Sequence, residues 1–127
     1  MRAYLLAITV ISTLTSVALA KDKSIELDNQ PTARTKSSVT MTANVTNKSR
    51  TAVKDGAVSF DNEWGVCVAS FGAIAANGGT ATSTCVLDGY ALAAKVAFNG
   101  ADGTGWFGLA GDGTAFEDIS INLNDHK

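Results

Sequence analysis

Asp61 and Glu63 come nearest to a catalytic arrangement in this chain. Two positions apart on an extended segment, they would point to the same side, next to Trp64. Glycoside cleavage needs two carboxyls facing each other across the breaking bond. A partner such as Asp112 or Glu117 would therefore have to arrive from elsewhere in the fold. Other catalytic chemistry is short of parts. The single histidine, His126, is next to last in the sequence, whereas Ser-His-Asp and Cys-His relays need a histidine held on a rigid element. Zinc lacks ligands for the same reason. The glycine clusters lack the lysine and the strand-to-helix setting of a phosphate-binding loop. No enzyme, no metal and no cofactor is the resulting expectation.

Asp102-Gly103-Thr104 and Asp112-Gly113-Thr114 repeat at a ten-residue interval. Calcium would require several oxygens converging on one point, and neither the EF-hand spacing nor the glycine-rich calcium nonapeptide is present. Two turns bounding the short strand Gly105 to Ala110 account for the echo. Cys67 and Cys85 are the only cysteines and form no CxxC pair; a structural disulfide is expected. Their spacing of eighteen is too short for an immunoglobulin inter-sheet bridge, and the tryptophan signature of that fold is missing.

Aromatic placement offers a binding surface. In Gly105-Trp106-Phe107-Gly108-Leu109, alternation puts Phe107 and Leu109 on one face and Trp106 on the other. With Phe107 and Leu109 inside, Trp106 stands outward between glycines, able to stack on a sugar ring or anchor a protein contact. Packing over the Ala91, Ala93 and Ala97 row is the competing arrangement. Tyr90 and Trp64 are the other aromatic ligand candidates, although both suit a core. Asn44-Val45-Thr46 and Asn47-Lys48-Ser49 are glycosylation acceptors if the host is a eukaryote. Asn44 falls on an outward face and Asn47 near a polar bend, so both read as reachable.

Charge is unevenly spread. Lys21 to Lys54 holds seven basic and three acidic residues, a net of +4, while Asp55 to Lys127 holds two basic and nine acidic, a net of −7. Arg34, Lys36, Lys48, Arg50 and Lys54 form a basic series without an acid among them. A surface for an anionic polymer is one reading. The series is sparse and has no interleaved aromatic, so partial neutralisation by acidic strands is preferred, and no nucleic-acid partner is expected.

The elements that carry these residues read as strands. All 12 glycines lie at or after Gly56, six of them in Asx-Gly pairs: Asp55-Gly56, Asn77-Gly78, Asp88-Gly89, Asn99-Gly100, Asp102-Gly103 and Asp112-Gly113. Between apolar runs these are hairpin signals. Val39, Met41, Ala43 and Val45 alternate with Thr40, Thr42, Asn44 and Thr46. Tyr90, Leu92, Ala94, Val96 and Phe98 line one face of a second run, and Ile119, Ile121 and Leu123 one face of a third. Segments 24–28, 57–60 and 64–70 complete the set, with 81–88 paired to 64–70 through the disulfide. Asn29 to Ser38 reads as a polar crossover, and Phe71 to Ala76 as the one weak helical stretch. The prediction is an all-β, single-domain antiparallel sandwich or small barrel of six to eight strands.

Residues 1–20 read as a secretory leader: Met1-Arg2 is positive, Leu5 to Val10 with the mixed apolar stretch to Val17 supplies the apolar region, and Ala18-Leu19-Ala20 has the small-x-small cleavage pattern. The expected mature domain, 21–127, has 107 residues. No later apolar run reaches the ~18–20 residues of a membrane span, so stable membrane insertion is not expected. A leader, about a hundred mature residues, one disulfide and an all-β pattern resemble, in format, the small secreted proteins that fungi and other microbes release. That resemblance implies an effector or virulence factor that meets an extracellular or host protein, or a polysaccharide.

Overall fold

The computed structural model describes residues 23–32 and 37–125. The expected leader, His126, Arg34 and Lys36 lie outside them. Among the described residues there are eight strands and no helix: β1 (Lys23–Pro31), β2 (Ser38–Asn47), β3 (Val53–Asn62), β4 (Gly65–Phe71), β5 (Gly79–Asp88), β6 (Ala93–Gly100), β7 (Gly105–Ala110) and β8 (Phe116–Asp125). They form two four-stranded sheets, ordered β1-β8-β2-β5 and β4-β3-β6-β7. Neither sheet closes on itself, so the architecture is a β-sandwich.

The two-residue period explains the layering. Met41, Ala43 and Val45 of β2, Ala94, Val96 and Phe98 of β6, and Ile119, Ile121 and Leu123 of β8 are all buried. The threonines between the β2 residues face outward. Phe60 and Phe116 meet across the sheets at 6.3 Å, and Phe71 packs on Phe98 at 5.3 Å. Burying such a side chain contributes roughly 1.5–3 kcal/mol each.

Connectivity departs from expectation in four places, the first being that β2 and β8 run parallel, from Thr42↔Asp118 to Asn47↔Leu123. β5 pairs with β2, running antiparallel from Ser38↔Asp88 to Asn47↔Gly79, and β4 pairs with β3. The segments 64–70 and 81–88 thus sit on edge strands of different sheets. Cys67 and Cys85 both point inward and close the gap, with Cα atoms 5.8 Å apart. A spacing of eighteen does reach from sheet to sheet here, because the bridge joins adjacent edges rather than sheet centres. Asp55-Gly56 is no hairpin: it lies within β3, beside a register shift between Val53 and Asp55. Glycine is required there because the Phe98 ring occupies the place of a Cβ. Phe71 to Ala76 forms no helix; Ile74 instead makes a bridge to Val53. By contrast Asn77-Gly78 is a true turn, with φ of 59° and 105°, the left-handed region that Asn and Gly tolerate.

Asn47 ends β2 fully buried, which corrects the expectation that it is reachable. Its Nδ2 donates to Thr51 O at 2.9 Å, Ala75 O at 3.2 Å and Ile74 O at 3.5 Å. Its Oδ1 accepts from Ser49 N at 3.1 Å, with Ser49 Oγ at 2.7 Å. The nitrogen a glycan would need is committed to holding two chain connections together. Asn44 is exposed on the outer face, accepting from Thr82 Oγ1 at 3.0 Å.

These roles separate in a urea titration. Asn47→Ala is expected to cost about 2–3 kcal/mol, since it removes all the hydrogen bonds by which the buried amide ties Ser49, Thr51, Ile74 and Ala75 together, while Asn44→Ala stays within about 0.5 kcal/mol. Reducing Cys67–Cys85 is expected to cost about 3 kcal/mol through the freed loop.

Candidate interaction face

The clearest surface feature is the outer face of the β4-β3-β6-β7 sheet. Cross-strand register sets its rows: Val66, Asp61 and Ala93; then Val68, Ser59, Lys95 and Leu109; then Ser70, Ala57, Ala97 and Phe107. Val66 is 60% exposed, Val68 53%, Phe107 51% and Leu109 59%. The large apolar side chains stand on the two edge strands and small ones line the centre. The outer face of the other sheet is different in kind. There Thr40, Thr42, Asn44 and Thr46 of β2 lie beside Val86, Thr84, Thr82 and Thr80 of β5, with Val86 the one exposed large apolar residue among them.

β7 faces opposite to the outward-tryptophan arrangement. Trp106 is 2% exposed, so it offers no platform for a sugar ring. Nor does it lie over the Ala91, Ala93 and Ala97 row; it is paired with buried Phe98 on the inner side. Its indole N–H donates to Asn124 O at 2.9 Å, satisfying the one polar atom that burial would otherwise strand. Gly108, next along the inner side, carries no side chain, and β1 fills the space beside it. A Cβ there would stand 2.9 Å from Leu27 Cδ1 and 3.1 Å from Ile25 Cγ2. With Trp106 and Gly108 inside, Phe107 and Leu109 must be outside.

Lys23, at the head of β1, completes this corner. Its ammonium sits 5.1 Å from the Trp106 ring centroid, a cation–π contact. It also donates to Thr51 Oγ1 at 3.1 Å and Asp102 Oδ2 at 3.5 Å. Only 7% of the Lys23 side chain is exposed. Asp102 in turn accepts from Thr104 Oγ1 at 2.6 Å and Thr104 N at 3.1 Å. These Thr104 bonds, with Lys23 behind them, lower the Asp102 pKa to about 2.

The remaining expected site residues do not converge. Trp64, 37% exposed, lies in the β3–β4 turn, where its backbone N–H donates to Asn62 Oδ1. Tyr90 is half-buried against the core, in the connection before β6. Lys48, Arg50 and Lys54 are exposed around the β2–β3 connection, and Arg50 pairs with Asp125 at 3.2 Å, in line with local neutralisation. Asp61 is in β3, Glu63 in the turn that follows, Asp112 in the β7–β8 turn and Glu117 on β8. Thr114 N donates to Asp112 at 3.0 Å, as Thr104 N does to Asp102, so both Asp-Gly-Thr repeats are turns. Among the described residues no group of three or more His, Cys, Asp or Glu side chains could hold a metal ion. No helix there is long and apolar enough to cross a membrane. The exposed pair Phe107 and Leu109 was missed because alternation defines two faces of β7 without saying which is inner.

No family model matches the sequence, and no curated protein matches it. Among solved structures the chain is similar to an NMR structure of a protein from Eubacterium rectale. The TM-score is 0.51 and the identity 15%, over 67% of this chain and 77% of that one. At that identity the likeness concerns the fold alone.

The Asp102 corner gives a pH signature. A carboxyl whose folded pKa is lowered contributes stability that is complete above its unfolded pKa, near 3.8, and is lost as pH falls through about 2. The urea midpoint of the wild-type chain is expected to fall between pH 4 and pH 2, and that of Asp102→Asn to fall less.

Proposed function

We propose that this chain is a small exported, non-enzymatic protein that works by contact outside the cell, using the outer face of the β4-β3-β6-β7 sheet. The observation carrying this reading is the exposure of Val66, Val68, Phe107 and Leu109 on one sheet face. Large apolar side chains gathered on one face of a rigid sheet favour a contact site over a purely solvated surface. The face is formed by strands rather than loops, so it is pre-shaped and costs little ordering on binding. The disulfide is compatible with an oxidising compartment, and the format resembles that of secreted microbial effectors. A sugar-stacking module built on Trp106 loses its basis, since that indole is buried.

Capture tests the reading. Tagged mature chain is incubated with extracellular and wall extracts, and bound species, further copies of the chain included, are identified by mass. Association is expected to weaken at least tenfold in Phe107→Ser/Leu109→Ser, the loss of an interface hot spot, and to be unchanged in Thr42→Ala/Thr84→Ala on the opposite face. Loss confined to the threonine variant would overturn it, as would turnover of a glycan or ester substrate by the wild-type chain.

A further inference from the structure

The pattern of side chains on this face selects its occupant. A line along the strand direction between β3 and β6 divides the face into two halves. On each side the outer strand carries the bulk: Val66 and Val68 on β4, Leu109 and Phe107 on β7. On each side the inner strand carries small residues: Ala57 and Ser59 on β3, Ala93 and Ala97 on β6. Within those rows each inner strand also carries one charge, of opposite sign, Asp61 on β3 and Lys95 on β6; Asp55, one row beyond Ala57 on β3, accepts from Asn99 Nδ2 at 2.7 Å. No carboxylate lies within ion-pair distance of Lys95 among the described residues. The two charges are therefore complementary to each other across that line.

We infer that the occupant is a second copy of this chain, related by a two-fold axis along that line. The inference rests on the contact-face reading and names its partner. Such an axis lays β4 of one copy over β7 of the other, and β3 over β6. Val68 then meets Leu109 of the second copy, and Phe107 meets the small Ser70. Lys95 stands over the Ser59 row, with Asp61 of the second copy one row along. That offset is roughly 7 Å along the strand, within the reach of a lysine stem. The Lys95–Asp61 ion pair forms twice by symmetry, as an isologous interface requires. A lipid surface is a poorer occupant, because Asp61 and Lys95 would be pressed into it unpaired. Four strands at about 4.8 Å and six residues at about 3.3 Å give a footprint of roughly 19 by 20 Å. That is small for a stable interface, so dissociation in the micromolar range is expected. The assembled pair leaves both threonine faces turned outward.

The test is sedimentation velocity of the oxidised mature chain, Lys21 to Lys127, from about 1 to 500 µM, with circular dichroism to check each fold. Wild type is expected to shift from monomer to dimer across that range. Leu109→Asp is expected to remain monomeric. Lys95→Glu and Asp61→Lys each place like charges opposite one another and should weaken self-association at least tenfold. An equimolar mixture of those two variants places opposite charges at both pairs and should dimerise within about threefold of wild type. A monomer at every concentration overturns the inference, as does a dimer indifferent to Leu109→Asp or a mixture no better than its components. The contact-face reading survives these failures if Phe107→Ser/Leu109→Ser still loses an extracellular partner in the capture experiment. Both fail if that variant loses nothing.

Discussion

The seating of Trp106 governs the molecule. A strand with a two-residue period has two ways to face, and turning it over moves every side chain to the other side. The inward indole is held from several directions. Asn124 of β8 takes its N–H, Lys23 of β1 lies against its ring, and Phe98 of β6 is its cross-strand neighbour. Lys23 is itself tied to Thr51 and Asp102. One aromatic ring thus gathers both sheets and two connections. The glycine two positions on lets Ile25 and Leu27 of β1 close over the same strand. The exposure of Phe107 and Leu109 is the unavoidable counterpart of this packing.

The two long sides of the sandwich are closed by different means. At the β4/β5 side the closure is covalent, through Cys67 and Cys85. At the β1/β7 side it is made by packing and by the buried ammonium. The buried Asn47 knot joins the β2–β3 and β4–β5 connections at one end. With these fastenings in place, both outer faces are carried by paired strands and are free to differ in chemistry. One presents mainly hydroxyls, amides and carboxylates, with Val86 exposed among them; the other presents hydrocarbon on its two edge strands, with Asp61 and Lys95 on the strands between them.

Much of the strand layout was legible in the residues. β2, β6 and β8 alternate between apolar and polar or small side chains, and in each the apolar set is buried. The disulfide followed from there being two cysteines, and the Asp-Gly-Thr repeats read correctly as turns. Pairing was less legible, because β5 reaches β2 across more than thirty residues of chain, and no local pattern encodes that choice. The two sequons look alike in sequence, yet one asparagine is solvent-facing and the other is a buried structural ligand. Whether an Asx-Gly pair turns the chain or sits inside a strand also depended on a distant residue, the Phe98 ring over Gly56.

Local chemistry, then, was enough to determine the strand positions and the sandwich-or-barrel class, because these depend on neighbours within a few residues, and the presence of only two cysteines was enough to pair them. The tertiary structure alone decided that the sandwich is open, that the disulfide spans its sheets, and which side of β7 meets water. Those outcomes depend on how volumes fit between segments remote in sequence. The buried indole is held by a cross-strand ring, a carbonyl acceptor and a cation that β6, β8 and β1 supply together.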